Sequence, residues 1–480
     1  MLLIFIHLIH LIHLTKTQII KKILGVGTIA YLVLGIIALW FYLERTAFLD
    51  ISFHLFYILK DGDFAIQNNR FGAVVTQVFP LLGSKIGLSL SAIMKWYSVG
   101  FVLYYFTIFF LCTKVLKSPR FGLVMLLFST LMVTDTFYWI QSEFPQGLAL
   151  LIFYFALLYQ SKDYNKNQLW LTHLLLAVLN IALVFFHPLL VFPYLFSVLF
   201  LFLKNRTLNN PVLKIQLIKS AILFFSILVI KSIFFKTEYE SNSMQGVNNF
   251  VKLFPDYFSI NSNKEFLIYL FRDYYFLLIA LIGMVYYYFK NGKVLHFGLL
   301  VSFFFGYLLL VNVSYPEGSE QFYMENLYLP LSLFVIVPLA FELNWNKYQR
   351  YYFPMLIFII AIRLMHIGFN HQFYSERINY LNNYLEETSS LTQKKIIASE
   401  ANFPMDTLLM TWASPYEFWL LSTIKEDQTR SILISKNANK IKWRKMYNKK
   451  FLTAWRAFDY SELPEPYFIL RDTTYYQFME

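Results

Sequence analysis

The chain has 480 residues, of which 58% are hydrophobic, 20% aromatic and only 15% charged, with a formal net charge of +12. That is more apolar surface than one aqueous core can take up, which excludes an ordinary soluble globular protein. The excess of Lys and Arg does not indicate nucleic-acid binding, because it is scattered in short clusters between apolar runs, the distribution expected of a polytopic membrane protein.

In chain order, residues 1–22 form a cytoplasmic or interfacial segment. It opens with MLLIFIHLIHLIHL, too short to span a bilayer and without the basic start of a signal peptide. His7, His10 and His13 recur every third residue, which spreads them around a helix, so they read as a repeat rather than as metal ligands. About eleven segments then approach the twenty apolar residues that a span needs. They are 23–43, 98–116, 121–140, 145–159, 169–186, 188–203, 218–235, 273–289, 295–313, 327–341 and 353–369. Every second connection is basic, from Lys16, Lys21 and Lys22 through Lys114, Lys117 and Arg120 to Lys347 and Arg350. The intervening connections carry Asp50, Asp61, Asp63, Glu143, Glu238, Glu240, Glu317, Glu320 and Glu325. The positive-inside rule then puts the N-terminus in the cytoplasm, and an odd number of spans puts the C-terminus outside.

The first outer loop, 44–97, is too long for a simple connector. Within it AFLDISFHLFYIL reads as an amphipathic interfacial helix with Asp50 and His54 on one face, a pair able to move a proton; helix capping by Asp50 is the competing reading. Asp61, Gly62 and Asp63 form a turn. A second amphipathic stretch presents Arg70, whose planar fork suits phosphate, and Gln77. Further ionisable groups fall at the outer ends of later spans: Asp135, Glu143, His187, Lys231, Arg363 and His366. Such groups usually face a bundle interior, so together they predict one polar cavity opening outward. After Phe369 the composition changes. A charged helical stretch precedes the apolar runs KIIAS, SILIS and YFILRD, which predicts a small extracytoplasmic α/β domain over 370–480. The basic run KNANKIKWRKMYNKK reads as a solvated helix face, or as a contact for anionic lipid headgroups.

This layout resembles the GT-C glycosyltransferases, through FLDISFH directly after the first span and ENLYLPLSLFVIVPLAF before a late Leu-Pro-rich span. The resemblance implies an all-α polytopic bundle in the cytoplasmic membrane. It also implies a polyprenyl-phosphate-linked sugar as donor and a glycan, lipid or protein as acceptor, with no nucleic acid. Asp50 matches the family's first-loop acid. The catalytic set is then Asp50, His54 and Glu143, and the substrate-binding set Arg70, Gln77, His187, Lys231, Glu325 and Arg363. Two positions depart from the pattern. Asp50 is followed by Ile51 rather than by a second acid, so a divalent metal is allowed but not required, and Glu325 and Asn326 occupy the usually basic position before the Leu-Pro-rich span. A transporter or flippase, a polymerase or ligase of lipid-linked saccharides, and a non-catalytic membrane protein are the alternatives.

Overall fold

The structure, a computed structural model, describes residues 16–140, 143–243, 246, 248–343, 345–426, 428–441 and 448–479. The His7, His10 and His13 repeat and most of the WRKMYN part of the basic run lie outside the described residues.

Long helices dominate because the apolar runs are rich in Leu, Ile, Phe and Ala and, in lipid, every backbone group must bond within its own segment. The first helix, α1 (Lys16–Trp40), is typical. Its Ile29, Leu32, Ile36 and Leu39 are exposed along one face at helical spacing, while Ile23, Ala30, Tyr31, Leu34 and Ala38 are buried on the other. A stripe of large exposed aliphatics is unfavourable in water and natural against hydrocarbon. There follow α2 (Tyr42–Thr46), α3 (Leu49–Asp61), α4 (Val74–Lys85), α5 (Leu90–Phe110), α6 (Pro119–Phe128), α7 (Glu143–Gln160), α8 (Lys166–Val184), α9 (Val191–Leu208) and α10 (Pro211–Phe234). The second half holds α11 (Asn261–Arg272), α12 (Tyr275–Lys290), α13 (Val294–Ser314), α14 (Gln321–Glu342) and α15 (Trp345–Phe369).

Among the described residues nine helices are long and apolar enough to cross a membrane, and the chain is a multi-pass membrane protein. A tenth candidate is the pair α11 and α12, which meet at 95°. The predicted span 121–140 is not one helix. α6 ends at Phe128, and Ser129 to Ile140 run as turns and bends. The reason lies in STLMVTDT, where Ser, Thr and Asp side chains compete for the backbone groups that a helix would use. Thr130 Oγ1 turns back to the Leu126 carbonyl at 2.9 Å, and Ser129 Oγ to that of Met125 at 3.0 Å. Non-helical backbone at membrane depth persists only where protein surrounds it, and this segment is enclosed.

After α15, α16 (His371–Glu387) leads to β1 (Lys395–Ser399), α17 (Ser414–Glu426), β2 (Ser431–Ser435), β3 (Lys450–Leu452), β4 (Ala457–Asp459) and β5 (Gln477–Met479). β1 lies between β2 and β5 in a parallel sheet, with Ile396 opposite Ile432 and Gln477, while β3 and β4 form an antiparallel pair. KIIAS and SILIS are strands as expected, their three central residues apolar because both faces are covered. YFILRD is not. Its Ile469 trades hydrogen bonds with Thr429 outside the sheet, and β5 takes the third place. One hydrophobic core runs from the membrane helices into this C-terminal part. Phe56 of α3 is enclosed by Tyr416, Trp419, Phe451, Phe458 and Phe468. α3 is therefore covered by protein on most of its circumference rather than laid open on the lipid interface.

Candidate functional site

α3 starts at an unusual backbone position. Leu49 has φ 41°, a left-handed conformation that strains a branched residue, and its N–H donates to Glu417 Oε1 at 2.8 Å. Glu417, fully buried in α17, also accepts from Arg377 Nη2 at 2.6 Å, and Arg377 reaches the Leu408 and Ala47 carbonyls. A buried ion pair on the C-terminal part thus fixes the residue immediately before Asp50. Asp50 follows in the first turn, where the helix dipole favours a carboxylate. The Trp139 indole N–H donates to Asp50 Oδ2 at 3.1 Å. Burial pushes the Asp50 pKa up from 3.8 to about 6; the Trp139 hydrogen bond opposes the rise, the Glu143 charge adds to it and Arg70 lowers it.

Those two charged neighbours form the next layer. Arg70 Nη1 lies 3.4 Å from Glu143 Oε2, and the guanidinium covers the Tyr239 ring at 5.2 Å. Arg70 can come this close because Gly72 lets the loop press on Phe186; a β-carbon at Gly72 would lie 2.2 Å from that ring. His187 stacks on Phe144 with ring centroids 4.5 Å apart, and its Nδ1 accepts from the Leu189 N–H at 3.2 Å, capping the turn that begins α9's segment. Burial, then the charges of Arg70 and Lys231, hold its pKa well below the usual histidine value, so the ring is neutral. Lys231, buried near the end of α10, donates to Glu240 Oε1 at 3.1 Å and to the Val184 carbonyl at 3.3 Å. Asp50, Glu143, Arg70, His187 and Lys231 therefore form one polar neighbourhood.

His54 and Gln77 belong to a different construction. Gln77 accepts from the Ala65 N–H at 2.8 Å and donates to its carbonyl at 3.0 Å, while His54 Nδ1 lies 3.1 Å from that carbonyl and 3.2 Å from Gln77 Nε2. The pair ties the loop after Gly62 back to α3 and α4. Gly62 itself, at φ 64°, ends α3 as the expected turn. Burial pulls the His54 pKa down to about 4, the Ala65 hydrogen bond opposing and Arg70 assisting, which keeps the imidazole neutral at physiological pH.

Glu325 and Arg363 are also brought to one place, around the broken segment after α6. Glu325 accepts the N–H groups of Thr134 and Thr136 at 2.8 Å each and of Asp135 at 3.2 Å, together with the Thr136 hydroxyl at 2.5 Å and Tyr274 hydroxyl at 2.6 Å. Arg363 donates to the Thr130 carbonyl at 2.9 Å, the Val133 carbonyl at 3.1 Å and the Thr134 hydroxyl at 2.8 Å. An acid takes the orphaned donors and a base takes the orphaned acceptors of the interrupted helix. The two side chains thereby hold the stretch that presents Trp139 to Asp50. Asp135 accepts from Asn370 and Tyr374 at 3.0 Å each, and His366 Nε2 lies 3.5 Å from Asp273.

Sequence reasoning passed over Trp139, Glu417, Arg377 and Arg45. Trp139 and Glu417 come from far along the chain and carry no local signal. Arg45, directly after the first span, had one: a cation at the end of an apolar run. Among the described residues no three His, Cys, Asp or Glu side chains are grouped so as to hold one metal ion. The chain matches no protein-family model, no curated protein and no solved structure.

Proposed function

We propose that this chain is a membrane glycosyltransferase that moves a sugar from a polyprenyl-phosphate carrier to an acceptor hydroxyl on the outer face of the cytoplasmic membrane. The observation that carries the reading is Asp50: a partly covered carboxylate with a pKa of about 6, steadied by Trp139 and within the electrostatic reach of Arg70 and Glu143. A base titrating just below neutral pH is ionised when needed and still basic enough to take a proton. Asp50 accepts the proton of the acceptor hydroxyl as its oxygen bonds to the anomeric carbon. The bond from that carbon to the phosphate oxygen breaks, and the polyprenyl phosphate departs with the electron pair. Arg70 meets the growing phosphate charge, with Lys231 behind it, and Glu143 orients Arg70. A single displacement inverts the anomeric centre. In this reading an odd number of the apolar segments crosses the membrane, the N-terminus is cytoplasmic, and 370–480 lies outside as a cover on α3.

The test is consumption of a polyprenyl-phosphate sugar by detergent-purified protein. Asp50→Asn keeps size and hydrogen bonding but cannot take the proton, and loss of a general base costs on the order of 10² to 10⁴ in rate. Undiminished turnover by a normally folded Asp50→Asn protein would remove Asp50 from the chemistry and leave a transporter or a structural protein as the better account.

A further inference from the structure

In LDISFHLFYILKD, Asp50, Phe53, Tyr57 and Lys60 are spaced three and four residues apart, so they lie along one face of α3. Up to Asp61 they are the only residues of that helix that are not buried. The C-terminal part borders this open stripe with rings. The Phe53 centroid lies 6.2 Å from that of Trp412, 6.0 Å from Trp455 and 4.8 Å from Tyr57, and the two tryptophans are 5.1 Å apart. Trp455 is 62% exposed, on the turn between β3 and β4. The Thr453 N–H donates to the Arg456 carbonyl at 2.8 Å, and the Arg456 N–H to Thr453 Oγ1 at 3.0 Å, so the indole stands on a closed turn and pays little ordering entropy on binding. Lys60 and Arg456 meet at the far end of the stripe, 5.5 and 4.7 Å from the Phe458 ring, which lies 6.0 Å from Tyr57. Each has an acid beside it, Asp61 for Lys60 and Glu462 for Arg456. This surface differs from the lipid-facing stripe of α1, which exposes Ile and Leu. After Phe373 the only large hydrophobics exposed among the described residues are Trp455 and Tyr475. Exposed rings between charged groups of both signs suit a pyranose: its C–H face, slightly positive, rests on the negative face of a ring, and its hydroxyls bond to the charged rim. A quaternary ammonium also favours rings, but Lys60 and Arg456 repel it.

We propose that the open stripe of α3, with Trp412 and Trp455, is a saccharide-binding site, and that the acceptor of the transfer reaction is therefore a glycan. The assignment as acceptor rests on the sugar-transfer reading above; the binding of a saccharide does not. Phe53 stands about 4.5 Å of helical rise beyond Asp50 on the same face, so a saccharide stacked on the rings runs toward the carboxylate that would take the proton of its hydroxyl.

The probes are cellotetraose and chitotetraose, whose equatorial substituents leave flat C–H faces, added without donor to the full chain in a detergent that has no sugar headgroup. Saturation-transfer NMR titrations read the binding. Wild type should bind at least one tetrasaccharide, with transfer strongest at the ring C–H protons. Trp455→Ala should weaken that binding about tenfold or more, and Trp455→Phe, which keeps a ring, should weaken it less. Trp455→Gln, polar on an exposed turn, decides the matter if Trp455→Ala does not fold. Wild type that binds neither tetrasaccharide, binding that is unchanged without the indole, or binding of tetramethylammonium in their place would overturn the site. Trp455-dependent binding by a chain that never consumes a polyprenyl-phosphate sugar would keep the site and end the transfer reading. Donor consumption by a chain that binds neither tetrasaccharide would do the reverse.

Discussion

Asp50 makes the clearest single-residue case, because its environment sets a stability profile and, under the proposed function, a rate profile as well. With the folded-state pKa raised from 3.8 to about 6, the folded protein holds a proton that the unfolded chain has released between those values. Asp50 therefore opposes folding progressively as pH rises from about 4 to 6, and by a constant amount above that. Asp50→Asn should then gain Tm relative to wild type across that interval and reach a plateau near pH 7; an offset independent of pH would mean that the carboxylate is not buried as described. Catalysis should run the other way, with wild-type turnover falling on acidification through an apparent pKa near 6. Glu325 and Arg363 give a second test at this scale. Replacing Glu325 by Gln turns an NH₂ group toward backbone donors, and Arg363→Met leaves carbonyls without partners. Each should cost about 2–4 kcal/mol in detergent unfolding titrations. Because both hold residues 130–136, the double variant should lose less than the sum.

At the scale of elements, α3 is placed by groups outside itself. Its first residue is strained and tied to Glu417, its loop is clamped by Gln77, and its apolar face is buried under the aromatic cluster of the C-terminal part. Glu417→Ala frees Leu49 and strands Arg377 without a counter-charge, so it should destabilise by roughly 3–5 kcal/mol. In the same variant the acidic limb of any pH–activity profile should move from near 6 toward the ordinary value of 3.8, as Asp50 gains water. The loop carrying Arg70 offers a steric check. Gly72→Ala drives a methyl into Phe186 and should cost about 1–3 kcal/mol, which the partner change Phe186→Leu should partly restore. A thermal melt of the single and double variants reads both.

For the whole molecule, the membrane helices and the α/β part form one core, so neither is expected to be sound alone. A chain ended at Phe369 uncovers Phe56 and the α3 face beneath α17, and should be degraded or aggregate rather than insert normally. Pulse-chase turnover of the truncated and full chains measures this. The alternation of basic and acidic connections sets the expectation for sidedness: a phosphatase reporter fused to the end of the full chain, which keeps the C-terminal part in place, should be active only outside the cytoplasm. A cytoplasmic reporter signal would invert the orientation and, with it, the face on which Asp50 lies.

The multi-pass helical character was legible in the chain alone because it follows from local composition: twenty apolar residues in lipid must form a helix, whatever they pack against. The strands KIIAS and SILIS and the turn at Gly62 were equally local. Candidate residues stand out by their cost in an apolar setting, and Asp50, Arg70, Glu143, His187 and Lys231 are legible in the sequence on that ground. What each one touches was decided by tertiary structure. Whether a buried Glu or Arg serves a ligand or an interrupted helix depends on partners 190 or more positions away, as with Glu325 and Thr134. The break after Phe128 shows the same limit, since STLMVTDT is apolar enough to read as a span. Only Glu325 and Arg363, arriving from other helices, satisfy the backbone that lets it unwind and bring Trp139 to Asp50. Pairing across the fold is a property of the packed chain, and no local window of sequence contains it.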